Sequence, residues 1–199
     1  NYRTSHQIRT YADRLLEKTV SDVDGNTERR DDTISVFNGP EPAIALFDDE
    51  KSEIEGVSTW INERLKDGVK PDETGIFVRS ADEFVRAEEA VKNTNTPFMI
   101  LDDSNDVTNG HIPIGSMHMA KGMEFKAVAV MACDEDILPL VSRISSMAED
   151  SDLKEVYDTE RHLFYVACTR ARENLLITGV KPGSEFIGDL LGSFPGSEE

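Results

Sequence analysis

Cysteine is scarce in this sequence. There are two, Cys133 and Cys168, far apart and each inside an apolar run. That placement excludes a disulfide framework and a CxxC or Cys/His zinc cluster, and it reads as two reduced core thiols. Long hydrophobic runs are missing as well. Stretches such as Ala127 to Cys133 fall far short of the roughly 20 apolar residues needed to cross a bilayer. No leader with a basic start and an apolar centre opens the chain. A glycine-rich loop of the form G-x-x-x-x-G-K-[ST] is absent too, so the chain carries no phosphate cradle of its own. Internal repeats and low-complexity tracts are lacking.

Basic charge is in short supply: 21 Lys and Arg stand against 39 Asp and Glu, a net charge of −18. A surface of that sign repels nucleic acid as a whole. The distribution is uneven, however. Residues 1–30 carry 6 basic and 5 acidic side chains, residues 111–132 carry 2 and 1, and residues 161–182 carry 4 and 1. These islands are net +1, +1 and +3, so the rest of the chain holds −23. A polyanion could dock on the islands while the remaining surface turns it away.

The 199 residues suffice for one domain with a real core. The chain opens on Asn1 in sequence that is already patterned, and is expected to be a piece of a longer protein. A cytoplasmic location fits the reduced thiols.

Apolar periodicity predicts helices over residues 5–18, 50–67, 81–93, 160–172 and 184–191. Phe84, Val85, Ala87 and Val91 are expected on the inner face of the third. Short strands are expected at 34–37, 43–47, 75–78, 97–101, 112–117, 127–132 and 175–178. Residues 21–32 read as a loop, 141–158 as a mobile acidic excursion and 192–199 as a frayed tail. Alternating strands and helices, with several strands apolar throughout, predict a parallel sheet covered on both faces.

Three segments carry chemistry. Asn1-Tyr2-Arg3-Thr4-Ser5 places an arginine just ahead of a helix, where a nearby anion is favoured. Ser116-Met117-His118-Met119-Ala120-Lys121-Gly122-Met123-Glu124-Phe125 joins two strands through a tight turn at Gly122. Ser116, His118 and Lys121 offer donors to phosphate oxygens at the carboxyl end of a strand. Glu124 offers an acceptor to a ribose hydroxyl. The third segment runs Glu160-Arg161-His162-Leu163-Phe164-Tyr165-Val166-Ala167-Cys168-Thr169-Arg170-Ala171-Arg172. At about 100° per residue, Leu163, Phe164, Ala167, Cys168 and Ala171 share an apolar arc, with Arg161, Tyr165, Thr169 and Arg172 opposite. Arg170 falls at the margin beside Leu163 and Val166, aimed and partly desolvated, as a bidentate phosphate contact requires.

In this order the three segments resemble motifs IV, V and VI of UvrD/Rep/PcrA-type superfamily 1 DNA helicases. The resemblance spans residues 1 to about 179. It implies a RecA-like α/β domain, a mainly parallel sheet with helices on both faces, here lacking its own phosphate loop. Residues 1–199 would then form the second motor domain of an ATP-dependent helicase or translocase. Arg3 and Arg170 would contact the ATP γ-phosphate. Glu124, with the Gly122 turn, would meet the nucleotide sugar. Ser116 and His118, with Lys121 in the same turn, would face single-stranded DNA.

ATP and its Mg2+ would be held mainly by the N-terminal RecA-like domain of the same protein, leaving the chain inactive as an ATPase by itself. No membrane partner and no metal site within the chain are expected. Only about 110 residues separate Arg3 from His118, so the 2B insertion common in the family has no room here. A helicase–nuclease fusion and a helicase-derived protein-interaction or regulatory module are the alternative parents. The apolar run Val128 to Asp134, followed by Glu135, looks like a strand ending in a magnesium-binding acid. It is assigned to the core.

Overall fold

The computed structural model describes residues 4–16, 19–21, 27–29, 37–102, 104, 106–140 and 150–192. Six strands build one sheet: β3 (Ala43–Phe47), β4 (Thr74–Val78), β5 (Phe98–Ile100), β6 (Ile112–Ser116), β7 (Phe125–Val130) and β8 (Ala171–Val180). Their spatial order is β3-β8-β7-β4-β6-β5, and every neighbouring pair is parallel. Two short strands, β1 (Thr19–Ser21) and β2 (Thr27–Arg29), pair antiparallel apart from it. The helices are α1 (His6–Asp13), α2 (Glu50–Lys66), α3 (Phe84–Lys92), α4 (Asp150–Cys168) and α5 (Glu185–Leu191).

Strand side chains alternate between two cores, as a pleated strand demands. Phe77, Val128 and Val130 pack on one face with Ile8, Ala12, Phe164, Cys168 and Phe186, which come from α1, α4 and α5. Ile76, Val78, Ala129 and Met131 pack on the other with Ile54, Val57 and Ile61 of α2 and Ala87, Ala90 and Val91 of α3. The parallel sheet covered on both faces, expected from the apolar strands, is the observed architecture. No helix among the described residues is long and apolar enough to cross a membrane.

Local chemistry sets the element ends. Ser5 caps α1, its Oγ accepting from Ile8 N at 3.4 Å. Asp49 caps α2 through a 2.7 Å bond from Ser52 N, and Glu50 and Glu53 in its first turn complement the helix dipole. Ser80 opens a 3-10 turn over Ala81–Glu83 ahead of α3, and Ser184 caps α5.

Four sequence expectations change. Helix α4 covers Asp150–Cys168, not 160–172. It begins inside the stretch expected to be a mobile excursion, and it ends before Arg170, because Ala171 and Arg172 already pair as strand β8. Residues 141–149 lie outside the described residues, as do residues 193–199 of the expected tail. The expected loop at 21–32 overlaps the β1–β2 pair, since Ser21 ends β1 and Thr27–Arg29 form β2. Val85 is 64% exposed, and the inward place on α3 belongs instead to Arg86, 5% exposed. Helix α1 is shorter than predicted, closing at Arg14. The expected strand at 34–37 lies outside the described residues except for Phe37.

Candidate functional site

The segment from Ser116 to Phe125 crosses the sheet from one edge to the other. Ser116 ends β6 at the carboxyl edge, a 3-10 turn covers Met117–Ala120, and Phe125 begins β7 at the amino edge. Gly122 makes the return possible with φ +84°, a conformation that costs a residue with a Cβ. The predicted site residues therefore divide between two edges. Ser116 and His118 sit at the carboxyl edge; Gly122 and Glu124 sit at the amino edge with Arg170. Lys121 is exposed in the turn between them.

At the amino edge Arg170 occupies the turn between α4 and β8. Its main-chain carbonyl accepts from Phe125 N at 3.0 Å. Its half-buried guanidinium is fixed by three bonds: Nε donates to the Val166 carbonyl at 3.0 Å, Nη1 to the Met123 carbonyl at 3.2 Å and Nη2 to Thr169 Oγ1 at 3.4 Å. Burial pushes its pKa below the ordinary arginine value, against the pull of Tyr165 and Glu124. Beside it, Arg172 Nε stands 3.3 Å from Glu124 Oε1.

The start of the described chain is tied to the same turn. Thr4 Oγ1 donates to the Thr169 carbonyl at 3.1 Å, and Ser5 N donates to the Arg172 carbonyl at 2.9 Å. Arg3 itself lies outside the described residues.

At the carboxyl edge the structure adds residues that sequence reasoning missed. Arg79 directly follows β4 and forks onto Glu160 of α4, with Nε–Oε2 and Nη2–Oε1 distances both 2.5 Å. Both side chains are almost fully buried. Leu140 N also donates to Glu160, at 3.2 Å. The remaining arginine nitrogen, Nη1, lies 3.3 Å from His118 Nε2. Breaking a buried pair of this kind by removing one partner costs about 3–5 kcal/mol. A sequence separation of 81 between Arg79 and Glu160 leaves no periodic signal from which the pairing could have been read.

A second buried charge cluster lies on the opposite face. Glu53 of α2 accepts from Ala132 N at 3.0 Å and from Thr178 Oγ1 at 2.5 Å, and it pairs with Arg86 of α3. Arg86 Nη1 also reaches Asp134 Oδ2 at 2.7 Å, while Asp134 Oδ1 accepts from Val180 N at 2.6 Å. Asp134, the acid at the end of the apolar run, thus serves an arginine and a strand end, in line with its assignment to the core. Burial holds the Glu53 carboxyl above its ordinary value, against the lowering pull of Arg86 and Thr178.

Residues 101–181 match the model of the UvrD-like helicase C-terminal domain. Over these residues the chain is similar to UvrD/PcrA-type helicase C-terminal domains. A 76-residue stretch is 41% identical to the ATP-dependent DNA helicase PcrA of Staphylococcus epidermidis, and equally to that of Staphylococcus aureus. The stretch covers 38% of this chain and 10% of either relative, so the chain matches about a tenth of their length. Among solved structures, the C-terminal domain of a possible DNA helicase from Lactobacillus plantarum WCFS1 superposes with a TM-score of 0.65 at 18% identity. That alignment covers 96% of this chain and 94% of the other, and it shows a shared RecA-like α/β fold. The UvrD-type match includes Ser116 to Phe125 and Glu160 to Arg172 whole, and leaves residues 1–100 to the fold comparison.

Proposed function

We propose that this chain is the second motor domain of an ATP-driven DNA helicase or translocase, closing onto a nucleotide held by an N-terminal RecA-like domain. The observation that carries the reading is the fixed Arg170 guanidinium at the amino edge, beside Glu124 and Arg172. Thr4 and Ser5 bonded to Thr169 and Arg172 add to it, since they bring the chain next to Arg3 to the same turn. Arg170, joined by Arg3, stabilises charge on the γ-phosphate as the domains close. Glu124, on the Gly122 turn, takes the nucleotide sugar. An arginine offered in this way is worth roughly 10³–10⁵ in rate in NTPases.

Mg2+ with ATP belongs to the partner domain, because this sequence has no phosphate loop. The chain alone therefore does not turn over ATP. Ser116, His118 and Lys121 hold the backbone of single-stranded DNA. Because the contact lies across the sheet from Arg170, domain closure at one edge moves the grip at the other.

The test is Arg170→Ala in the intact parent protein. ATP turnover is expected to fall at least about a hundredfold while nucleotide binding falls less. Unchanged turnover would refute the role. Binding of oligo-dT by the isolated chain is expected to be weak and to vanish with salt.

A further inference from the structure

We infer that Glu160 and Arg79 act together to fix the tautomer of His118, holding the ring neutral with its proton on Nδ1. The inference follows from what an arginine is able to do. A guanidinium carries donors only and never accepts. Arg79 Nη1 lies 3.3 Å from His118 Nε2, so the hydrogen bond exists only when Nε2 accepts. A ring that accepts at Nε2 carries its proton on Nδ1. An imidazolium would set two donors and two positive charges against each other.

Arg79 has no freedom to turn away. Its Nε and Nη2 are held at 2.5 Å by the two oxygens of Glu160, and this fork geometry is rigid. Glu160 in turn is anchored in α4 and accepts from Leu140 N at 3.2 Å. With two arginine nitrogens committed to the carboxylate, the third points at the histidine. Glu160 is thus a positioning residue that acts on His118 through Arg79.

The consequence is directional. Whichever acceptor meets Nδ1 finds a neutral N–H donor rather than a charged one. Under the proposed function that acceptor is a phosphate oxygen of the DNA backbone, and the inference rests on that reading only in naming it. The tautomer itself does not depend on it.

The ring state is measured in the 199-residue chain without DNA, by long-range ¹H–¹⁵N correlation of the imidazoles. His118 is assigned by comparison with His118→Gln. The expected spectrum has a bare, pyridine-type ¹⁵N shift on Nε2 and a protonated shift on Nδ1. A protonated Nε2 in the native chain overturns the inference.

A double variant, Arg79→Met with Glu160→Leu, removes both charges and leaves neither orphaned in the core, a replacement that folded proteins commonly tolerate. Its His118 is expected to move to the Nε2–H form that free imidazoles prefer. A ring that stays on Nδ1–H in this folded variant also overturns the inference. Adding oligo-dT afterwards tests the DNA contact separately: a His118 signal that does not move counts against the nucleic-acid reading and leaves the tautomer assignment standing.

Discussion

Ser5 and Arg172 are joined through their backbones: the Ser5 N–H donates to the Arg172 carbonyl at 2.9 Å. From one residue before Ser5, Thr4 reaches with its hydroxyl to the carbonyl of Thr169, three residues before Arg172. Together they bracket the turn that holds Arg170. The first segment of the chain is therefore part of the same construction as the last motif. Residues more than 160 positions apart, |i−j| = 165 for Thr4 and Thr169, share one buried joint.

Replacing Thr4 by Val keeps the shape and deletes the buried donor. The expected loss is about 1–3 kcal/mol in urea unfolding of the chain. Under the proposed function, ATP turnover of the intact parent should fall as well, because the joint braces the turn that holds Arg170. Thr59→Val is the control. Its hydroxyl makes a comparable bond to the Glu55 carbonyl on an exposed turn of α2, and it should change turnover little. Equal effects of the two variants on turnover would detach the joint from the proposed function.

The Gly122 turn gives a cleaner separation of backbone from packing. A Cβ at Gly122 would meet nothing within 4 Å, so Gly122→Ala pays only for its positive φ, about 1–2 kcal/mol. Gly179→Ala differs in kind, because there a Cβ would sit 2.6 Å from the Cys133 carbonyl oxygen. The loss in thermal stability should be clearly larger for Gly179→Ala. Reversal of that order would mean that the 116–125 crossing is held by contacts other than its backbone turn.

The legible parts of this protein were those written in local pattern. The strand expected over 112–117, observed as Ile112–Ser116, and the turn expected at Gly122 follow from neighbours within a few residues. Arg170 is an instructive half-case. The wheel placed it beside Val166, and its Nε does bond the Val166 carbonyl. The helix, however, has ended by then, and the contact arises from a turn that folds the arginine back.

The buried charges were not legible at all. Arg79, Glu160, Glu53 and Arg86 look in sequence like solvated side chains, since such residues are rarely buried without a partner. Their partners are separated by tens of positions and meet only once the sheet is assembled. The misplacement of Val85 has the same origin: Arg86 takes the inward position because Glu53 and Asp134 are there to receive it.

Both cysteines are closed off from solvent, and burial pushes both thiols above the ordinary cysteine value. A thiol kept protonated is a poor nucleophile. Ellman's reagent at neutral pH should therefore label neither Cys133 nor Cys168 in the native chain and both in denaturant. Because Cys168 ends α4 just ahead of the Arg170 turn, native-state labelling there would report local opening of that turn. The 1-to-1 release of only one thiol would contradict the shared core environment.

Glu53 allows the balance between burial and ion pairing to be measured. Burial outweighs the pull of Arg86 and Thr178, so the carboxyl binds its proton more tightly in the folded chain than at the ordinary value of 4.5. For a raised pKa the folded state holds more protons than the unfolded one as the pH climbs past that value. The stability from this group is complete below pH 4.5 and is lost as the pH rises through the folded value. Glu53→Gln removes the titration and leaves the other acids in place. The difference in unfolding free energy, wild type minus Glu53→Gln, should thus decline as the pH rises from 4.5, with a slope no steeper than about 1.4 kcal/mol per pH unit. A difference that grows over the same range would mean that Arg86 more than compensates for the burial of the carboxylate.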